Sequence, residues 1–172
     1  MTEMLQVMSE FDQLAEIYRT HAPRRVLEIG VYMGGTLRTW LDGPQIVVAV
    51  DNLHLNRDAY PAWTDIGAEL IVIQGVSQDS NTIARIREHA PYDFAFIDAD
   101  HGYGSVKADA DTVLPLMAPG GLLAFHDLVS DTGAVYGPGM VVNELEAAGY
   151  SVERFIDLEP SPVAHGIGLI RL

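Results

Sequence analysis

Acidic and imidazole side chains gather at two places in this sequence. Asp98-Ala99-Asp100-His101 brings three ionisable groups within four positions, and His126-Asp127 adds two more. Each group directly follows a short apolar run, residues 92–97 and 122–125. Carboxylates beside an imidazole can hold and pass a proton near neutral pH, or bind a divalent ion. Two further acids interrupt or close apolar runs. Glu28 sits inside Val26-Leu27-Glu28-Ile29, and Asp51 ends Ile46-Val47-Val48-Ala49-Val50. A lone carboxylate among β-branched residues is costly unless something polar meets it. The structural alternative is a loop cap for Asp51 and a capped polar loop for the 98–101 group.

These residues need strands that end together. Glu28 precedes a glycine-rich turn, Gly30-Val31-Tyr32-Met33-Gly34-Gly35-Thr36, after which an amphipathic segment begins at Leu37. Glycines admit a ligand close to the backbone, and a helix start offers unpaired N–H groups. The turn reads G-x-x-x-G-G, so the dinucleotide fingerprint G-x-G-x-x-G is not met. Glu28 and Asp51 are 23 positions apart, one strand–helix–strand repeat. An acid ending the second strand can accept the hydroxyls of a ribose.

The remaining elements follow in order. Residues 3–20 have helical apolar spacing and end near Ala22-Pro23. This helix would cover a sheet edge or the ligand mouth, or make a dimer contact. Runs at 25–30, 45–50, 70–74, 92–97 and 122–125 read as buried parallel strands. Tyr60, Trp63 and Ile66 could share a helical face, and His54 would lie in the loop before it. Residues 80–88 form a helix that Ser80 or Asp79 can cap. Val106, Ala110, Val113, Leu114 and Met117 mark the inner face of another, with Asp109 and Asp111 on its solvated side and 119–121 as its end. Residues 133–139 are a candidate lid, and Pro138 suits a first helical turn. Two final strands, near 150–156 and 166–172, are joined by a linker too short for a helical crossover, so they should pair antiparallel. The expected fold is α/β in a single domain spanning 1–172: a mostly parallel seven-stranded sheet with an antiparallel last strand and helices on both faces.

Composition narrows the partners. Ten basic against 24 acidic residues give a formal charge of −14, which disfavours nucleic acid and anionic membranes and favours a small molecule or a protein partner. The absence of cysteine removes thiolate catalysis, zinc–cysteine sites and disulfides. Residues 1–20 have no signal-peptide core, so a cytoplasmic location is expected.

Strand ends, glycine turn and antiparallel close together resemble the class I S-adenosylmethionine-dependent methyltransferases from about Arg24 to Leu172. "VLEIGVYMGGTL" is similar to their first motif and "VVAVD" to their ribose-binding strand end. "DFAFIDADHGYGSVKADADTVLPLMAPGGLLAFHD" resembles the branch of cephalosporin hydroxylase-like proteins and small-molecule O-methyltransferases. The resemblance implies a Rossmann-like methyltransferase fold and S-adenosylmethionine as methyl donor. Gly30, Gly34 and Gly35 would approach its methionine part, with Glu28 steadying the loop or amino group and Thr36 reaching the carboxylate. Asp51 would bind the ribose; Ser77, Gln78 and Asp79 would edge the adenine; Asp98 would face the reaction centre. In catechol-type relatives an aspartate after strand four and an Asp-Asn pair after strand five hold magnesium. The matching set here is Asp98, His126 and Asp127, where the histidine shifts preference from Mg²⁺ toward Mn²⁺ and later ions. His126 or His101 would be the base that takes the acceptor's proton.

The expected reaction is methylation of a small-molecule acceptor, foremost at a hydroxyl oxygen. Two other readings stand beside it. One is a dinucleotide-dependent oxidoreductase, which the failed glycine fingerprint opposes. The other is a non-catalytic nucleotide-cofactor-binding protein, which the two acid–imidazole clusters oppose. A homodimer could complete so bare a pocket, and no residue pattern names the acceptor.

Overall fold

The computed structural model describes residues 7–52, 67–130, 132–157 and 166–172. Seven strands pair into one sheet: β1 (Arg25–Ile29), β2 (Ile46–Asp51), β3 (Glu69–Gln74), β4 (Tyr92–Ile97), β5 (Met117–Phe125), β6 (Ser151–Phe155) and β7 (Ile167–Arg171). Their order across the sheet is β3-β2-β1-β4-β5-β7-β6. β7 runs antiparallel to both neighbours, and the other pairs are parallel. The sheet grows from β1 outward to β3, then resumes on the other side of β1 with β4. That reversal leaves a crevice at the carboxyl ends of β1 and β4, the usual ligand position in open α/β sheets.

Alternation along the strands sends successive side chains to opposite faces. One face packs Val26, Phe94 and Phe96 under α1 (Met8–His21) and the single turn α2 (Leu37–Trp40). Trp40 is the hub of that layer, with ring centroids 5.4 Å from Phe11, 4.8 Å from Tyr18 and 4.9 Å from Phe94. The other face packs Leu27, Ile29 and Phe125 under α3 (Ser80–Glu88), α4 (Tyr103–Val113) and α5 (Gly137–Ala147). Glu28 shares the parity of Val26, so its carboxyl enters the Trp40 layer and is fully buried.

A second buried acid fastens α1 to the far edge of the sheet. Glu10 accepts the Asp157 N–H at 2.6 Å and the Gly166 N–H at 2.8 Å, one on each carboxylate oxygen.

The expected sheet is present. Helix 80–88 and the antiparallel close are also found as expected. Three details differ. Asp109 is not on a solvated face; it is 1% exposed. Residues 119–121 do not end a helix: α4 closes in a 3-10 turn at Leu114–Leu116, and Met117 already pairs with Tyr92 in β5. The candidate lid is a closed turn. Val129 bridges Val135, the Ser130 hydroxyl accepts the Thr132 and Ala134 N–H groups, and α5 starts at Gly137. Gly137 and Gly139 serve close packing there rather than freedom. The expected helix around Tyr60, Trp63 and Ile66, with His54, lies outside the described residues. Among the described residues no helix is long and apolar enough to cross a membrane.

Candidate active site

The glycine turn is built by hydrogen bonds from neighbouring strand ends. Gly30 donates its N–H to the Val50 carbonyl at 2.9 Å, and Asp98 donates to Ile29 at 2.8 Å. Gly30 has φ +89, and a Cβ there would fall 2.0 Å from the Asp98 carbonyl oxygen. Only glycine fits this crossing of two backbones. Asp51 then holds the turn itself: its Oδ2 accepts the N–H groups of Val31 at 2.7 Å and Tyr32 at 2.8 Å. Beneath the turn, Thr36 donates its hydroxyl to Glu28 Oε1. Burial pushes the Glu28 carboxyl well above the usual range.

A cleft of about 450 Å³ opens over this turn, at the carboxyl ends of β1, β2 and β4 and the loop after β3. Gly30, Tyr32 and Asp51 line one wall, Ser77 and Gln78 another, and Asp98 the end near the acid–imidazole cluster.

That cluster is a quartet. His101 Nε2 lies 2.9 Å from Asp127 Oδ2 and 3.8 Å from Asp98 Oδ1. His126 Nδ1 lies 3.0 Å from Asp127 Oδ1 and 3.3 Å from Asp98 Oδ1. Hydrogen bonds to Asp127 and Asp98 raise His101 to about 10. Burial alone would lower His126, but the charge on Asp98 and bonding to Asp127 outweigh it and also bring it to about 10. Burial works against the Asp127 carboxylate, and its bonds to the two imidazoles overcome this and hold it far below the usual range. Asp98 is lowered too, its burial offset chiefly by the His126 charge. Two imidazolium and two carboxylate groups make a neutral set. The histidines differ in access: His101 is 44% exposed by side chain and His126 only 2%. Asp127 adopts left-handed backbone with φ 58.

A family model described as a methyltransferase domain matches residues 27–128. The chain belongs to this methyltransferase family. The match runs from β1 to the residue after Asp127, so it spans the turn, the cleft walls and the quartet. No curated protein matches the methyltransferase. Three solved structures resemble it at low identity. An O-methyltransferase from Bacillus cereus in complex with S-adenosylhomocysteine (SAH) is 18% identical with a TM-score of 0.77, covering 99% of this chain and 83% of that one. TomG, an O-methyltransferase of tomaymycin synthesis from Streptomyces achromogenes in complex with S-adenosylmethionine (SAM), is 17% identical with a TM-score of 0.69, covering 96% and 79%. MycE, a methyltransferase of mycinamycin biosynthesis in complex with Mg, SAH and mycinamycin VI, is 19% identical with a TM-score of 0.65. The methyltransferase covers 92% of itself in that match and 48% of MycE, about half its length.

The structure distributes the expected site residues unevenly. Gly30, Asp51, Ser77, Gln78 and Asp98 meet at the cleft. Glu28 and Thr36 lie below the turn, bonded to each other. Gly34 shapes the turn by donating to the Val31 carbonyl at 2.8 Å; Gly35 follows it, and neither is on the cleft wall. Asp79 is the residue before α3, also off the wall. His101, His126 and Asp127 stand together with Asp98. Among the described residues, Asp98, His101 and Asp127 each offer a ligand atom within 4.8 Å of the others. Tyr32, Asn52, Val76 and Asp100 also line the cleft and were not foreseen. Asp100 carried a signal, lying within the acidic run; the others depend on loop paths that residue types do not encode.

Proposed function

We propose that this methyltransferase moves the methyl group of SAM onto a hydroxyl oxygen of a small molecule. The observation that carries the proposal is the accessible imidazole of His101, 3.8 Å from Asp98, which itself lines the cleft. The donor's adenosyl end occupies the wall formed by Asp51, Ser77 and Gln78, and its sulfonium faces Asp98. The acceptor oxygen attacks the methyl carbon, the carbon–sulfur bond breaks, its electron pair stays on sulfur to give SAH, and the acceptor proton passes to the ring nitrogen of His101 that Asp127 does not hold. Alignment of oxygen, carbon and sulfur supplies much of the rate, and the base supplies the rest. The relatives crystallised with SAH or SAM support this choice of donor.

His101 must be neutral to accept a proton, whereas two carboxylates favour its charged form. A sulfonium cation entering beside Asp98 opposes the imidazolium and favours the neutral ring. His126 is buried, so we give it the supporting task of balancing the two carboxylates.

A metal-assisted version has its own observation. Two carboxylates and an imidazole converge in Asp98, Asp127 and His101, a donor set that suits Mn²⁺ or a later ion better than Mg²⁺. These three residues would hold the ion, which would polarise the acceptor hydroxyl. His101 cannot be ligand and base at once. MycE, with its Mg, supports keeping this version.

Calorimetric titration tests the donor reading: SAH should bind and NADH should not. Binding of NADH alone would replace the proposal with the oxidoreductase reading. Turnover on a panel of phenols and sugar hydroxyls, with and without chelator, then separates the two catalytic versions. SAH binding without turnover on any acceptor would favour a cofactor-binding role.

A further inference from the structure

Asp109 is a buried acid that the proposed reaction does not use. It lies on α4 at 1% exposure. Its Oδ1 accepts Gln78 Nε2 at 2.8 Å, and its Oδ2 is buried without a hydrogen-bond partner among the described residues. Gln78 Nε2 also points at the Ser105 carbonyl, 3.5 Å away. Gln78 is a wall residue of the cleft, next to Ser77. An amide has a donor end and an acceptor end, and it can normally turn over to suit its neighbours. An ionised carboxylate offers acceptors only. It therefore commits the nitrogen of Gln78 inward and leaves Oε1 as the end that meets a ligand.

We infer that Asp109 is a positioning residue that locks the Gln78 amide with its carbonyl toward the cleft, so that the site selects a purine with an exocyclic amino group over one with an oxo group. This rests on the adenosyl-donor reading above. A 6-amino group donates to Oε1, whereas a 6-oxo group sets oxygen against oxygen and leaves both unsatisfied. The choice of an acid accounts for the buried charge. An asparagine at 109 would fill the same space but accept or donate, releasing the lock. Desolvation raises the Asp109 carboxyl to about 6, so it is ionised at neutral pH despite its burial.

The test compares binding of SAH and its 6-oxo analogue, S-inosylhomocysteine, by calorimetry at pH 7.5. The wild type should prefer SAH by about tenfold or more. Asp109→Asn should remain folded and narrow that ratio to about threefold or less, chiefly by tighter binding of the inosyl ligand. Gln78→Leu, which removes the reading group, should narrow it as well. Retention of the wild-type ratio in folded Asp109→Asn overturns the positioning role, even if Gln78→Leu loses it. Retention in both variants overturns any reading of the base by Gln78. If wild-type protein binds neither ligand, the donor reading itself fails and this inference falls with it; if it binds SAH without discrimination, only the inference falls.

Discussion

His101 and His126 contact the same two carboxylates from different surroundings, and their substitutions should separate accordingly. His101→Ala should lower kcat by about 10²–10⁴ while SAH affinity stays within about threefold, read by single-turnover assay and calorimetry. His126→Ala removes the buried imidazole between Asp98 and Asp127 and leaves the half-exposed His101 to face both carboxylates. It should destabilise the fold by about 3 kcal/mol in urea unfolding. Asp109 offers a pH prediction. Its folded value, about 6, lies above the ordinary 3.8, so the native state binds the proton more tightly than the unfolded chain. Stability from this group is full below about pH 4 and lost as pH rises through about 6. Asp109→Asn should flatten that window and be more stable than wild type at pH 8, on the order of 2 kcal/mol. The burial of Asp109 had a signal in the sequence. It stands three positions after Val106 and four before Val113, on the apolar stripe of α4, whereas Asp111 is turned away. Asp51 was legible as the acid that ends the second strand, but not its grip on the Val31 and Tyr32 N–H groups. That depends on the path of a turn, which spacing alone leaves open.

At the scale of elements, the parallel strands were legible because each is built on a short, mostly apolar run. Boundaries set by tertiary pairing were not: β5 starts at Met117 because Tyr92 is there to pair with it, through a stretch containing Pro119 and two glycines. Glycine was the most ambiguous residue. Three glycines between 133 and 139 read as freedom, yet a Cβ on Gly137 would lie 2.3 Å from the His101 carbonyl and 2.5 Å from the Tyr103 nitrogen. The start of α5 is thus pressed against the loop that carries His101. Gly137→Ala should push that loop aside. Turnover should fall by about tenfold or more with SAH binding nearly unchanged, since small misplacement of a base is costly. Equal turnover in the folded variant would mean that α5 does not set the position of His101.

Across the whole molecule, the contacts that hold the N-terminal helix are remote in sequence. Glu10 reaches backbone groups 147 and 156 positions away, and no local pattern announces a carboxylate on the inner side of an amphipathic helix as a clamp. Glu10→Ala would strip two buried N–H groups of their acceptor. A loss of about 3 kcal/mol is expected in denaturant unfolding, with Glu10→Gln losing less because one carbonyl oxygen remains. A change below about 0.5 kcal/mol for the alanine variant would show that water replaces the clamp. The class of the sheet and its antiparallel close were therefore readable from runs and their ends, while its strand order and the fastening of α1 to β6 and β7 were not.

The left-handed backbone at Asp127 restricts how this pocket can change its electrical character. Aspartate and asparagine are the side chains that tolerate such a conformation best apart from glycine. One substitution, to the matching amide, would remove a negative charge and keep both the shape and the chain path. Glycine would erase the group altogether, and a β-branched residue would wrench the loop. Drift or design at this point is thus channelled by chirality into a nearly binary choice, charged or neutral.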